Sequence, residues 1–186
     1  MKVMINAGHA PNGIPDPGAI GCGLRECDVT ATVAHLVEGY LKAAGCAVKY
    51  IQSDSLCEIS SASNDWGADV FLSIHCNSAS TDQARGVETF SYYGSGNGKL
   101  LAACIQNQII DAFQLIDPDF PNRGLKEAGY HVIRATDAPA VLVELAFINN
   151  VEDAALLKYH GDDFARAVAR GVTDYECECC VDKSTK

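Results

Sequence analysis

The sequence predicts a single layered α/β domain, with a mainly parallel, twisted sheet flanked by helices. Short apolar runs of strand length alternate with longer stretches of helical period, and this alternation runs from Lys2 to Tyr175. At 186 residues the chain has room for one sizeable core. It contains no internal repeat and no long low-complexity segment.

Lys2 to Asn6 reads as the first strand. Residues 10–23 are rich in Gly and Pro, which fits a loop better than a helix or a central strand, and this loop is expected to border a site. From Asp28 onward Val29, Val33, Leu36, Val37, Tyr40, Leu41 and Ala44 recur at helical spacing, and Gly45 supplies a C-terminal cap. Cys46 to Ile51 is a second strand, Leu56 to Trp66 a short helix and Val70 to His75 a third strand. Val87 to Tyr93 is a further strand, followed by a helix over Lys99 to Phe113. Asp117 to Gly129, with its Pro, Gly and charge, reads as a loop; His131 to Arg134 and Val141 to Phe147 read as two more strands. Asn149 with Glu152 forms a capping-box-like helix start, and Phe164, Val168, Val172 and Tyr175 give the last helix its buried stripe. The domain is therefore expected over residues 1–175, with 176–186 as a Cys-rich tail or linker remnant.

A formal net charge of −10 argues against a general nucleic-acid binder, which needs clustered Lys and Arg. No apolar run approaches the ~20 residues of a membrane span. Met1 to Met4 leads into a strand rather than a secretory apolar region, so no export signal is expected in this chain. Nine cysteines are many for this length; most are read as free thiols in a reducing or anaerobic setting. Cys177-Glu178-Cys179-Cys180 lacks an obvious partner pair for a metal, which favours an exposed tail.

Three polar residues occupy positions suited to chemistry: His9 after the first strand, His75 at the end of the third, and Glu26 at the start of the first long helix. In parallel α/β sheets ligands gather beyond the carboxyl ends of the strands. Two imidazoles and one carboxylate suit a catalytic zinc site with an open fourth position. Taken singly, each has an ordinary alternative: an imidazole bonded to loop backbone for His9, a satisfied strand-end histidine for His75, a favourable anion at a helix N-terminus for Glu26. Glu144 lies within the most apolar strand, on one face with Ala140, Leu142 and Ala146, where a carboxylate is costly unless paired or functional. A buried ion pair with Arg134 is its structural alternative. Asn77 and Arg134 are candidate substrate-binding residues, Arg134 as a clamp for a peptide carboxylate, and Glu88 a candidate partner of a ligand.

The words around these residues resemble those of the zinc-dependent N-acetylmuramoyl-L-alanine amidases of the type 3 class. Asn6-Ala7-Gly8-His9, Asp16-Pro17-Gly18-Ala19-Ile20-Gly21 with Leu24-Arg25-Glu26, and Gly67 through Asn77 stand in the family's order. Gly86-Val87-Glu88-Thr89, Arg123-Gly124-Leu125-Lys126 and Pro139 through Asn150 complete it. The resemblance implies that His9, Glu26 and His75 hold Zn2+ and that Glu144 is the catalytic base. It also implies a bacterial peptidoglycan substrate, cut at the amide between N-acetylmuramic acid and L-alanine. Without an export signal, such a chain is expected to be a phage endolysin released by other means or a domain excised from an exported enzyme. The sequence departs from the family pattern at Asn6, Ala7 and Ala10, commonly Asp, Pro and Gly, at Ile59, where arginine is usual, and at Ala146, commonly Gly. None of these removes a proposed ligand. The rival readings are a zinc peptidase acting within the stem peptide and a catalytically silent wall-binding module.

Overall fold

A computed structural model describes residues 1–184, with side chains through Cys180. Six strands form the central sheet: β1 (Lys2–Ala7), β4 (Ala47–Gln52), β5 (Val70–Asn77), β6 (Val87–Ser91), β7 (Asn122–Glu127) and β8 (Ala140–Phe147). They lie in the order β4-β1-β5-β8-β6-β7. Every pairing is parallel except β6 with β8, so the sheet is mainly parallel, as expected. Two short strands, β2 (Ile20–Gly21) and β3 (Leu24–Arg25), make a small hairpin inside the Gly- and Pro-rich loop.

Strand alternation sorts the side chains into two layers. Val3, Ile5, Val70, Leu72, Ile74, Val141, Val143 and Leu145 face the larger core, which is covered by helices α1 (Glu26–Ala43), α3 (Gly96–Phe113) and α6 (Gly161–Ser184). Met4, Phe71, Phe90, Ala140 and Leu142 face a smaller core under α2 (Leu56–Trp66) and the short α4 (His131–Arg134). On that second face the same alternation continues with Asn6, Ser73, His75 and Glu144 at the carboxyl ends of the strands. The apolar floor thus turns polar where it borders the cleft, beside Leu56 and Ile59 of α2 and His131 of α4.

Several elements differ from the sequence reading. Residues 122–127 form the edge strand β7 inside the expected loop; the segment is largely exposed and polar, so it carries no apolar pattern. His131–Arg134 is a helical turn rather than a strand, because its β-branched pair, Val132 and Ile133, is buried in the smaller core from one short turn. Ala146 lies in the larger core beside Leu145, off the face of Glu144, next to a register shift between β5 and β8. The cap of α5 (Val151–Tyr159) is Asn150, whose Oδ1 accepts from the N–H groups of Glu152 and Asp153 at 3.0 Å each. Asn149 instead donates to the carbonyls of Ala79 and Thr81. The expected tail at 176–186 continues α6 as helix to Ser184, and Cys179 packs against the larger core. Thr185 and Lys186 lie outside the described residues.

The loop between β5 and β6 is fastened by Asp153, which is fully buried. Its carboxylate accepts from the Gly86 and Phe147 N–H groups at 2.8 and 2.9 Å and from Arg85 Nε at 3.0 Å. Removing this carboxylate leaves the Gly86 and Phe147 N–H groups without their acceptor, at a cost of about 1–3 kcal/mol each, while Arg85 keeps Asp117 and Glu152 as partners. Asp153→Ala is expected to lower the denaturation midpoint accordingly, read by urea unfolding. A change within ~0.5 kcal/mol would place the anchorage of this loop elsewhere.

Candidate metal and catalytic site

The expected site residues His9, Glu26 and His75 converge. Their ligand atoms all lie within 4.8 Å of one another. Glu26 begins α1 with its carboxylate turned inward: Oε2 stands 2.9 Å from His9 Nε2, and Oε1 stands 3.0 Å from His75 Nδ1. The same two oxygens accept from the Ala19 and Cys76 N–H groups, each at 2.9 Å, so the hairpin loop and β5 fix the carboxylate from both sides.

His9 adopts a left-handed backbone conformation, φ 68°, that turns its ring back toward the strand ends. Its Nδ1 meets Asp16 Oδ2 at 2.8 Å, an arrangement that sets the tautomer and leaves Nε2 for a metal. In the sequence Asp16 stands out only as part of the Asp-Pro-Gly word that carries the family resemblance; its contact with His9 is set by the fold. Two glycines make room for the rings. A Cβ on Gly8 would fall 2.5 Å from His75 Cε1, and one on Gly18 would fall 2.5 Å from His9 Cδ2 and 2.6 Å from Glu26 Oε2.

Burial pushes the Glu26 carboxyl up, but the His75 and His9 rings more than reverse this and hold it well below the usual carboxylate range. Burial pushes His9 down, yet Glu26 and Asp16 outweigh it and raise the imidazole to about 9. Glu144 behaves oppositely: desolvation raises it to about 7 against the pull of His75. It faces His75 across β5 and β8, and its buried Oε2 has no hydrogen-bond partner. No ion pair joins it to Arg134 among the described residues. A close two-imidazole, one-carboxylate set beside a half-buried carboxylate with one buried, unpartnered oxygen fits a divalent metal such as zinc with a proton-transfer group at hand.

These shifts have a consequence for the metal-free protein. A native pKa above the unfolded one means that the folded state holds the extra proton, so stability falls as pH rises through that window. For Glu144 the window runs from the ordinary carboxyl value of 4.5 to about 7, and for His9 from 6.5 to about 9. Glu26 acts at the other end, losing its contribution as pH drops below 4.5. The melting temperature of chelated protein is expected to decline steadily from pH 5 to pH 9. A flat profile there would mean that the His9–Glu26–Asp16 contacts carry no net stability.

The cleft over this cluster is lined further by Ser53, Asp54, Ile59, Asn77, Tyr130 and His131. Asn77 therefore reaches the cleft, where its Nδ2 donates to Glu88 Oε1 at 2.7 Å. Arg134 does not join it; this side chain borders a separate depression with Tyr92, Ser95 and Asp137. Glu88 is buried and ion-paired with Arg123 and Lys126, so although burial pushes its carboxyl up, the two cations bring it below the usual range.

A family model described as N-acetylmuramoyl-L-alanine amidase matches residues 3–174. A sporulation-specific N-acetylmuramoyl-L-alanine amidase of Bacillus subtilis is 36% identical over 178 residues, 92% of this chain and 65% of that protein. The amidase LytC of the same organism is 36% identical over 181 residues, 93% of this chain but 35% of LytC. The chain thus spans less than two thirds of either relative. Among solved structures, the amidase AmiC2 of Nostoc punctiforme superposes with TM-score 0.84 at 28% identity, covering 94% of this chain and 96% of that one. The catalytic domain of CwlV from Bacillus (Paenibacillus) polymyxa gives TM-score 0.83 at 29% identity, covering 94% and 97%. A family match that runs nearly the whole length, together with the superposition of the fold on solved amidases, leaves one conclusion: the chain belongs to the N-acetylmuramoyl-L-alanine amidase family.

Proposed function

We propose that this chain is a zinc-dependent amidase domain that hydrolyses the bond between the lactyl group of N-acetylmuramic acid and L-alanine of the peptidoglycan stem peptide. The observation that carries this reading is the convergence of His9, Glu26 and His75 within ligand distance beside Glu144, whose buried Oε2 has no hydrogen-bond partner. Zinc held by these three residues would polarise the scissile carbonyl and acidify the attacking water, which an unactivated amide requires. Glu144 takes the proton from that water and delivers it to the departing amine. Desolvation favours the protonated form of this carboxyl and a neighbouring zinc the ionised one, and a group held between the two can both take and return a proton. Asp16 holds the His9 ring in its ligating orientation, and Asn77, held by Glu88, borders the cleft as a substrate contact.

Digestion of purified cell wall tests the bond. The expected result is new L-alanine amino termini with no gain in reducing sugar ends. New reducing ends would identify a glycosidase, new termini at other stem residues a peptidase, and no release with intact binding a wall-binding module.

A further inference from the structure

Lys126 and Arg123 stand beside the candidate base without a part in the reaction described above. A row of residues crosses the sheet in register: His75 on β5, Glu144 on β8, Glu88 on β6 and Gly124 on β7. Directly opposed residues share a face, so Glu88 is the neighbour of Glu144. Unlike Glu144, it is fully engaged. Its Oε1 accepts from Asn77, while its Oε2 accepts from Arg123 Nε at 2.7 Å and also from the Lys126 ammonium.

One carboxylate thus faces two cations. A single counter-charge offsets the burial of Glu88; the second leaves a local surplus of positive charge. The side chains of Arg123 and Lys126 are 34% and 38% exposed, so both reach solvent. Lys126 Nζ lies 5.8 Å from the centre of the Phe90 ring, and Phe90 packs edge-on at 5.2 Å against Tyr130, which borders the cleft. Gly124 leaves the end of the row uncovered, since a Cβ there would meet nothing within 4 Å. The described lining of the cleft itself has four acids, Asp16, Glu26, Asp54 and Glu144, and no Lys or Arg.

We propose that Lys126, with Arg123 beside it, forms the subsite for a carboxylate of the stem peptide; this rests on the amidase reading. The sugars of the glycan are uncharged, whereas the stem peptide carries carboxylates, so a cationic patch next to the base selects the peptide side. Strands lie ~4.8 Å apart, which puts these cations about one to two strand spacings from Glu144. An extended peptide advances ~3.3–3.6 Å per residue, so the residue after L-alanine brings its carboxylate into that range.

The test uses two synthetic muropeptides that differ only in carrying a free carboxylate or a carboxamide on the residue after L-alanine. The zinc-loaded wild type is expected to show a kcat/KM about 10- to 100-fold higher on the carboxylate, the range of one charged hydrogen bond. Lys126→Met should collapse this ratio, chiefly through KM, and Lys126→Arg should retain most of it. Calorimetric binding of the two released peptides to wild-type protein gives a readout free of turnover, with weaker binding expected for the carboxamide. Equal kcat/KM values in the wild type overturn the subsite while leaving the amidase reading intact. Equal losses on both substrates in a folded Lys126→Met also overturn it and make Lys126 only the counter-ion of Glu88. If that variant does not fold, the wild-type ratio and the peptide binding decide. Failure of the wild type to cut either substrate removes the amidase reading, and the subsite with it.

Discussion

Glu144→Gln is expected to fold, to keep its metal and to lose about 10²- to 10⁴-fold in turnover, the usual contribution of a general acid–base group. The substitution keeps volume and polarity but removes the atom that accepts a proton. Because Oε2 has no partner, no structural hydrogen bond is lost with the charge. Above pH 7 the wild-type carboxylate is ionised in a desolvated position, so in chelated protein the neutral amide should raise the melting temperature there. A structural role predicts the reverse: intact turnover and a lower melting temperature. Turnover at the wild-type rate with full zinc would remove Glu144 from the mechanism. Glu88, the next carboxylate in the row, is a poor substitute because Asn77, Arg123 and Lys126 already occupy it.

Chelation should abolish activity altogether, and added zinc should restore it, since the described lining of the cleft holds no Lys or Arg to polarise the carbonyl in its place. His75→Ala is expected to drop zinc content and activity together. Glu26→Gln should weaken zinc binding, because an amide oxygen is a poorer ligand than a carboxylate, and it also discards the charge that His9 and His75 both contact. Asp16→Asn separates ligation from support. It leaves three ligands and removes only the partner of His9 Nδ1, so zinc affinity should fall by about 10- to 100-fold without vanishing. Elemental analysis alongside a zinc-competition titration reads all three. Full activity in protein shown to be zinc-free would end the metal mechanism.

Much of this was legible in the chain. Strong apolar runs at Val3 to Ile5, Val70 to Ile74 and Val141 to Phe147 are central strands, buried on both faces, so their composition admits little else. Leu56 to Trp66 matches its predicted bounds because Ser55 caps one end and Gly67, in the left-handed region, closes the other. His9, Glu26 and His75 could be singled out by place and family words taken together, since each alone has an ordinary local reason to be there.

Elements that depend on distant partners were not legible. Asn122 to Glu127 has no apolar alternation and is a strand only because β6 offers it an edge. His131 to Arg134 has strand-like residues, yet the space under the smaller core accepts just one helical turn. Asn149 and Asn150 are equal as capping residues, and the choice between them was made by the loop at 78–81, which takes Asn149 for its own carbonyls. Arg134 and Lys126 illustrate the same division at the site. Arg134 ends a predicted strand and Lys126 lies in a predicted loop, but the tertiary register puts Lys126 on Glu88 beside the base and turns Arg134 away to another depression. Residue chemistry and short-range period therefore determined which groups this protein has available and the class of fold that holds them. Which of those groups meet was decided by strand order and register, because contacts between residues far apart in sequence depend on the packing of the whole sheet.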